Sequence, residues 1–431
     1  MGSSLADALE YLDSHVNFET APLRRAAPTL DRMRALCHLL GDPQDAFAVV
    51  HLSGTNGKGS TARMLSALLG VHGLSVGTYT SPHLQRINER MAWDGEAIDD
   101  ESLASLLGGL EAYESHLGVR LTHFELLTAA AFRWFADNAV EVVVLEVGMG
   151  GRWDATNVAT GSVAVITNVG LDHAEIIGPT RVEIAVEKSG IVKPGSVLVL
   201  GETDPALVPI FSSRGAAAVW HRNVEFGCLR NSVAVGGRVL DLMLPSGELT
   251  DVFVPLRGEH QGDNAACAVA AAEAFFGRGL DATVVSSALA EVTVPGRFEI
   301  VGRHPLVVLD GAHNPDGARA LAKTLEDDLA GRWPDVLVVG FTVGRDPGEM
   351  LSILGATRSR LVIACRPPSP RGLPVADVVA AAHGLGIEAV GAPSVGAAVR
   401  QAVEAARMGD FVLVTCSLYV VGDARTVLAV G

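Results

Sequence analysis

Short β-rich runs, most of them continuously apolar, recur along the chain at 47–52, 140–147, 163–168, 197–200, 306–309, 336–341 and 411–415. A strand exposed on one side alternates apolar and polar positions. A run that is apolar throughout has both faces buried, as in a parallel sheet covered by helices. The intervening segments, such as 61–69 and 318–325, have helical length and Ala/Leu content. This alternation predicts an α/β chain with mostly parallel sheets, whose ligands bind at the carboxyl ends of strands. Between about residues 219 and 254 the pattern turns to polar–apolar alternation, with Gly236-Gly237 and Pro245-Ser246-Gly247 as turn signals. A small antiparallel part is predicted there. Val294-Pro295-Gly296-Arg297 then marks a boundary, after which strand–helix alternation restarts. Two domains follow, 1–295 and 296–431, with no repeat and no low-complexity tract.

Composition narrows the functional classes. At 431 residues, 48% apolar and 19% charged, the chain is globular and long enough for more than one core. Its 33 Lys and Arg against 49 Asp and Glu leave a net charge of −16. That excludes nucleic acid as a main partner, yet admits a small anion held by a few gathered cations, because distant charge is screened beyond about 10 Å. Cys37, Cys228, Cys267, Cys365 and Cys416 contain no C-x-x-C pair and read as reduced thiols, which predicts a cytoplasmic protein. The start of the chain lacks the features of a signal peptide. The apolar window 265–276 is broken by Glu273 well before about 18 residues, so no membrane span is predicted.

The candidate chemistry begins at Ser53-Gly54-Thr55-Asn56-Gly57-Lys58-Gly59-Ser60-Thr61, which follows the apolar run Val49-Val50-His51-Leu52 and precedes a helical segment. Glycines let backbone N–H groups approach phosphate oxygens, the helix N-terminus adds partial positive charge, and Lys58 supplies a cation. The spacing departs from G-x-x-x-x-G-K-[ST], because only two residues separate Gly54 from Gly57 and Gly59 follows Lys58. The bland alternative is a glycine turn capping a helix beside an exposed lysine.

This string resembles the phosphate loop of the folylpolyglutamate synthase and dihydrofolate synthase family, within the ATP-dependent Mur ligase superfamily. Further segments match in family order. They are Ser81-Pro82-His83-Leu84 with Asn88-Glu89-Arg90, Glu146-Val147-Gly148-Met149-Gly150-Gly151-Arg152, Asp154-Ala155-Thr156-Asn157, Leu171-Asp172-His173 and Glu187-Lys188-Ser189-Gly190. Beyond these come Arg257-Gly258, Asn264, Gly296-Arg297-Phe298-Glu299 and Asp310-Gly311-Ala312-His313-Asn314. The resemblance implies an N-terminal P-loop-type ATP-binding domain and a C-terminal Rossmann-like domain. It also implies ATP contacts from Gly54 through Thr61 and from Asn264, Arg297 and Asp310, the last two beyond the proposed boundary, so that nucleotide would lie between domains. Cys416 stands where the family usually carries Gly.

Glu146 ends an apolar run before a glycine-rich turn, His173 follows another run, and Ser81 follows Val76-Gly77-Thr78-Tyr79. Three strand ends can converge on one ion. Magnesium prefers oxygen ligands, so the carboxylate and hydroxyl are natural donors, whereas a lone histidine is as readily structural. The resemblance makes Ser81, Glu146 and His173 the Mg²⁺ ligands, and leaves room for K⁺ or another monovalent cation. Lys188 either pairs with Glu187 or a neighbouring carboxylate or, as the family implies, is carbamylated. Carbamylation would turn a cation that opposes the metal into an anion that attracts it.

The resemblance assigns Leu30, Asp31, Arg32, Met33, Thr122, His123, Phe124, Glu125, Trp153, Asp154 and Ala155 to a pterin- or folate-binding site. Phe124 and Trp153 either stack on the flat ring or pack in the core. The activity implied is an ATP-dependent ligation without a protein nucleophile. A substrate carboxylate takes the γ-phosphoryl group of ATP, and the amine of L-glutamate displaces phosphate from the acyl phosphate. Dihydropteroate would become dihydrofolate and folates their polyglutamates, by one or both activities in a monomeric enzyme of folate metabolism. Lys58, Lys188, Glu146 and His173 are the implied catalytic groups. The competing classes are a Mur-type ligase acting on a cell-wall precursor, a general P-loop ATPase or kinase, and a non-catalytic nucleotide-binding regulator.

Overall fold

The computed structural model describes residues 4–18, 29–172 and 174–428. It divides into two compact units. The first takes the chain up to Asn231 with Val239–Val254 and Gly262–Val292; the second takes Ser232–Arg238, Pro255–Gln261 and the chain from Thr293 onward. Among the described residues, no helix is long and apolar enough to cross a membrane.

The first unit is organised by an eight-stranded sheet. Its strands are β1 (Ala48–Ser53), β2 (Val76–Tyr79), β3 (Met91–Trp93), β4 (Glu96–Ala97), β5 (Val142–Glu146), β6 (Val163–Ile166), β7 (Val197–Leu200) and β8 (Ala218–His221), in the order β4-β3-β2-β5-β1-β6-β7-β8. From β2 to β8 the pairs are parallel, while β3 and β4 are antiparallel. The uninterrupted apolar runs are the central strands, and every residue of β5 is buried. Register places Leu52 opposite Glu146, Tyr79 opposite Leu145 and Ser53 opposite Ile166, so the carboxyl ends of β1, β2, β5 and β6 finish side by side.

Helices cover the sheet with apolar faces. One core cluster gathers Leu12, Met33, Leu36, Phe132, Phe135, Tyr79 and Leu145. A second gathers Ala164, Ile166, Ile184, Leu198 and Phe211. Phe132 and Phe135 are fully buried, each contributing about 1.5–3 kcal/mol of transfer free energy. Gly77 in β2 leaves the space that the Phe135 ring occupies.

The polar–apolar alternation from residue 219 is corrected in one respect. Ala218–His221 is a parallel edge strand on β7, and its residues are half-buried rather than alternating. The small sheet starts later, with β9 (Gly227–Ala234), β10 (Gly237–Leu244) and β11 (Gly247–Val254) in the order β11-β10-β9. An edge strand covered unevenly by its neighbours loses the continuous apolar signature of a central one.

The second unit carries β12 (Glu299–Arg303), β13 (Leu306–Leu309), β14 (Val336–Val339), β15 (Leu361–Ala364), β16 (Ala389–Gly391) and β17 (Phe411–Thr415) in the order β12-β13-β17-β14-β15-β16. Only β12 runs antiparallel. Just beyond β17, Cys416 adopts φ +76°, a conformation that costs a side-chain-bearing residue but not glycine. The α/β class with mostly parallel sheets and a small antiparallel part is therefore the architecture observed.

Candidate active site

β1 delivers the chain directly into the glycine loop. Gly57, at φ +84°, is the N-cap of the Lys58–Val71 helix and offers no side-chain cap. The first N–H groups of that helix therefore face outward without an intrahelical acceptor, as an anion requires. A Cβ on Gly57 would overlap Asn264 Oδ1, so the Asn264 amide lies against the loop. Ser60 and Thr61 are buried beneath it.

The loop is held from the end of β6. Thr55 N–H donates to Asn168 O at 3.0 Å, Asn56 N–H to Asn168 Oδ1 at 3.0 Å, and Thr167 Oγ1 to Asn56 O at 2.6 Å. Gly170 N–H donates to Thr55 Oγ1 at 2.9 Å. Sequence reasoning missed Thr167 and Asn168. Their only signal was that they follow the apolar run of β6, more than a hundred residues from the loop they support.

Lys58 Nζ bends back to donate to Gly54 O at 3.0 Å and stands 4.0 Å from Glu146 Oε1. The Glu146 carboxylate is buried at the end of β5, where it accepts from Ser81 N–H at 3.3 Å. Ser81 in turn follows β2. The turn after Ser81 is fastened by Glu89, which accepts from the N–H groups of Leu84, Gln85 and Arg86 at 2.8, 2.9 and 2.8 Å. Arg90, almost wholly buried, donates to His83 Nδ1 at 3.0 Å. The Glu146 carboxylate therefore stands beside the phosphate loop with Ser81 at the adjoining strand end, and a carboxylate and a hydroxyl are donor types that suit Mg²⁺ better than a soft metal. His173 lies outside the described residues.

Lys188 ends the Arg181–Lys188 helix and is buried. Its Nζ donates to Gly54 O at 2.8 Å, the carbonyl that Lys58 also approaches. Burial, with the Lys58 charge second, lowers its pKa to about 7, against the pull of Asp172, Asp154 and Glu187. Lys188 thus gives up its proton far more readily than a free lysine, and the neutral amine is the form that reacts with CO₂.

The turn after Glu146 packs on the end of that same helix. Ser53 Oγ donates to Gly150 O at 2.8 Å. The Asp154 carboxylate is buried and accepts from Met149 N–H at 2.9 Å and from Thr156 N–H at 3.0 Å. Burial is the largest influence on it and raises its pKa to about 6. Thr156 Oγ1 bridges Asp154 to the buried ring of His51 in β1, 2.9 Å from Nε2. Asp154 is thereby committed to the backbone of its own loop.

The remaining residues that the resemblance assigns to a pterin or folate site divide. Thr122 and Glu125 form a reciprocal capping box on the His123–Asp137 helix, and Arg32 Nη2 sits 3.2 Å from Glu125 Oε1, which brings these two segments together. Phe124 is half-buried, with its ring over Gly148 and its centroid 6.0 Å from that of Tyr79. His123 is buried, with Nε2 3.7 Å from Asp13 Oδ1. Leu30, Met33 and Ala155 are core residues, whereas Asp31 is exposed and faces Arg34. Trp153 is half-buried beside Gly150.

In the second unit, Asp310 leaves β13 and accepts from Phe298 N–H at 2.8 Å and Ala312 N–H at 2.9 Å. Burial raises its pKa, and Arg297 opposes that rise. Arg297 Nη1 donates to Gly296 O at 3.2 Å and lies against Gly311, where a Cβ would overlap it. Arg297 and Asp310 therefore converge. Asn314, not Asp310, caps the following helix.

Comparison with known proteins agrees with this fold. Residues 52–272 match the Mur ligase middle domain, and residues 296–418 match the Mur ligase glutamate ligase domain. The dihydrofolate synthase/folylpolyglutamate synthase of Mycobacterium tuberculosis is 40% identical over 392 residues, covering 85% of this chain and 80% of its own length. The structure of M. tuberculosis folylpolyglutamate synthase complexed with ADP matches at TM-score 0.90 and 36% identity, over 99% of this chain and 98% of that one. E. coli FolC in complex with DHPP and ADP matches at TM-score 0.87 and 30% identity, over 99% and 98%. With two Mur ligase domains in order and relatives of this identity over most of its length, the chain belongs to the folylpolyglutamate synthase/dihydrofolate synthase family of ATP-dependent ligases.

Proposed function

We propose that this chain joins L-glutamate to dihydropteroate, to the γ-carboxylate of folates, or to both, with ATP as the energy source. The observation that carries the reading is the meeting of Lys58 and Lys188 at the Gly54 carbonyl of the phosphate loop, with Glu146 beside Lys58. An acceptor carboxylate attacks the γ-phosphorus and ADP leaves; the glutamate amine then attacks the acyl carbon, phosphate leaves, and the amine loses a proton. Lys58 and the N–H groups of its helix neutralise charge on the transferring phosphoryl group. Glu146 and Ser81, with His173, would hold Mg²⁺, which supplies Lewis-acid neutralisation of the phosphate oxygens when bound. Lys188, carbamylated, adds an anion to that centre, and a monovalent cation is an additional candidate there. Asn264, Arg297 and Asp310 contact the nucleotide.

Phe124 and Trp153 flank the glycine-rich turn and would receive the flat pterin ring, with Arg32, Thr122 and Glu125 at its edge. The wide spacing of the five cysteines, with no C-x-x-C pair, suits a reducing, cytoplasmic setting. We read the enzyme as a monomer. The test is phosphate release with Mg-ATP and L-glutamate against dihydropteroate, tetrahydrofolate and no acceptor, with mass spectrometry of the products. Acceptor-dependent release with a gain of glutamate supports the reading. Release independent of acceptor and glutamate overturns it.

A further inference from the structure

Glu187 contacts neither the phosphate loop nor the Glu146 carboxylate by a hydrogen bond of its side chain, yet both of its carboxylate oxygens are engaged. It is 5% exposed. Oε1 accepts from Trp153 N–H at 3.1 Å and Oε2 accepts from Arg152 Nε at 3.1 Å, while its own carbonyl accepts from Arg152 N–H at 2.9 Å. The turn presses against it closely. A Cβ on Gly150 would crowd the Glu187 side chain, and one on Gly151 would overlap the Glu187 and Lys188 carbonyls. One on Gly190 would overlap the Arg152 backbone. Three glycines thus let the two segments meet at main-chain distance, and the Glu187 carboxylate closes the contact.

The two partners of that carboxylate are unequal. The Arg152 side chain is 66% exposed, so its ion pair contributes little. The bond to Trp153 N–H fixes the residue whose ring flanks the turn. The next side chain along, Lys188, reaches Gly54 of the phosphate loop instead. Successive residues at one helix end therefore hold two loops.

We propose that Glu187 is a positioning residue for the acceptor: it sets the Arg152-Trp153 turn, and with it the Trp153 ring, at a fixed distance from the phosphate loop that Lys188 holds. The proposal rests on the reading of Trp153 as an acceptor contact. Every side-chain hydrogen bond of Glu187 goes to the turn and none to the phosphate loop, and its charge is the weakest of the three carboxylates that act on Lys188, so its removal acts chiefly on acceptor binding.

The test is steady-state kinetics of the full-length enzyme with acceptor and ATP varied in turn. Glu187→Ala removes the carboxylate, and Glu187→Asp keeps the charge but withdraws it by one methylene. Both should raise the acceptor KM roughly tenfold or more, the loss of a bond to a charged group, with the ATP KM within about twofold. Glu187→Gln retains an oxygen for Trp153 N–H and should restore most of the affinity. Glu187→Asp alone carries the test if the alanine variant does not fold. An unchanged acceptor KM in Glu187→Asp, or an ATP KM that rises in step, overturns the proposal. A wild-type enzyme that turns over no acceptor overturns the ligase reading itself, a distinguishable failure.

Discussion

The ammonium groups of Lys58 and Lys188 both donate to the carbonyl oxygen of Gly54, at 3.0 and 2.8 Å. One lysine begins the helix after the phosphate loop and the other ends a helix more than a hundred residues later. Two cations so close repel each other, and the buried one yields: the Lys188 pKa falls to about 7. A phosphate would draw Lys58 outward from Gly54, while a carbamate on Lys188 would turn the repulsion into attraction.

Activity should therefore depend on dissolved CO₂ and on pH. The neutral Lys188 amine becomes the majority form as pH rises through about 7, so reactivation of CO₂-depleted enzyme at a fixed dissolved CO₂ concentration should speed up across that point. The stability sign is the same. Between about 7 and the ordinary 10.5 the unfolded chain binds the proton that the folded one has released, so Lys188 destabilises least at the top of that window. The Tm of wild type relative to Lys188→Met should rise with pH across it. A flat difference contradicts the depressed pKa.

Gly57→Ala should disable nucleotide binding while sparing the fold. The new Cβ meets Asn264 Oδ1, and φ +84° is unfavourable to alanine by about 1 kcal/mol or more. ADP affinity by calorimetry should fall roughly tenfold or more, with acceptor affinity retained.

Glu146→Gln should raise the Mg²⁺ requirement and lower kcat by a factor on the order of 10²–10³, the usual loss when a key electrostatic group is removed. A magnesium titration of kcat distinguishes this from misfolding, as excess Mg²⁺ should recover part of the rate. Chelation of Mg²⁺ should abolish wild-type turnover.

In the second unit, Glu299 accepts a forked pair from Arg425 and also accepts from Gly296 N–H at 2.7 Å, directly before Arg297. Both side chains are largely buried. Glu299→Ala should cost about 3–5 kcal/mol by stranding Arg425, and should raise the ATP KM by freeing the turn that carries Arg297. Calorimetric unfolding together with the ATP KM checks both effects.

What the sequence disclosed follows from the range of the interactions involved. β5 and β6 were legible because burial on both faces writes itself as an unbroken apolar run, and the Gly54–Lys58 loop because its chemistry is local. Glu146 and Ser81 were legible as strand-end residues, and register brings those ends together. Ala218–His221 was not legible, since an unevenly covered edge strand carries no clean period. The bonds of Thr167 and Asn168 to the loop, and that of Glu187 to Trp153 N–H, were invisible for another reason: each is made to a backbone group distant in sequence, and no local pattern records such a partner. Asp154 is assigned to the acceptor site by the family resemblance alone, and its hydrogen bonds to Met149 and Thr156 are a feature that no local sequence pattern records.

The most direct test follows one oxygen. Dihydropteroate labelled with ¹⁸O in its carboxylate is incubated with the enzyme, Mg-ATP and L-glutamate, and the released phosphate is analysed by mass spectrometry. If the carboxylate attacks the γ-phosphorus and glutamate then displaces phosphate, one labelled oxygen enters phosphate for each amide bond formed. Unlabelled phosphate accompanying amide formation, or phosphate released without glutamate addition, would contradict an acyl phosphate formed beside Lys58 and Glu146.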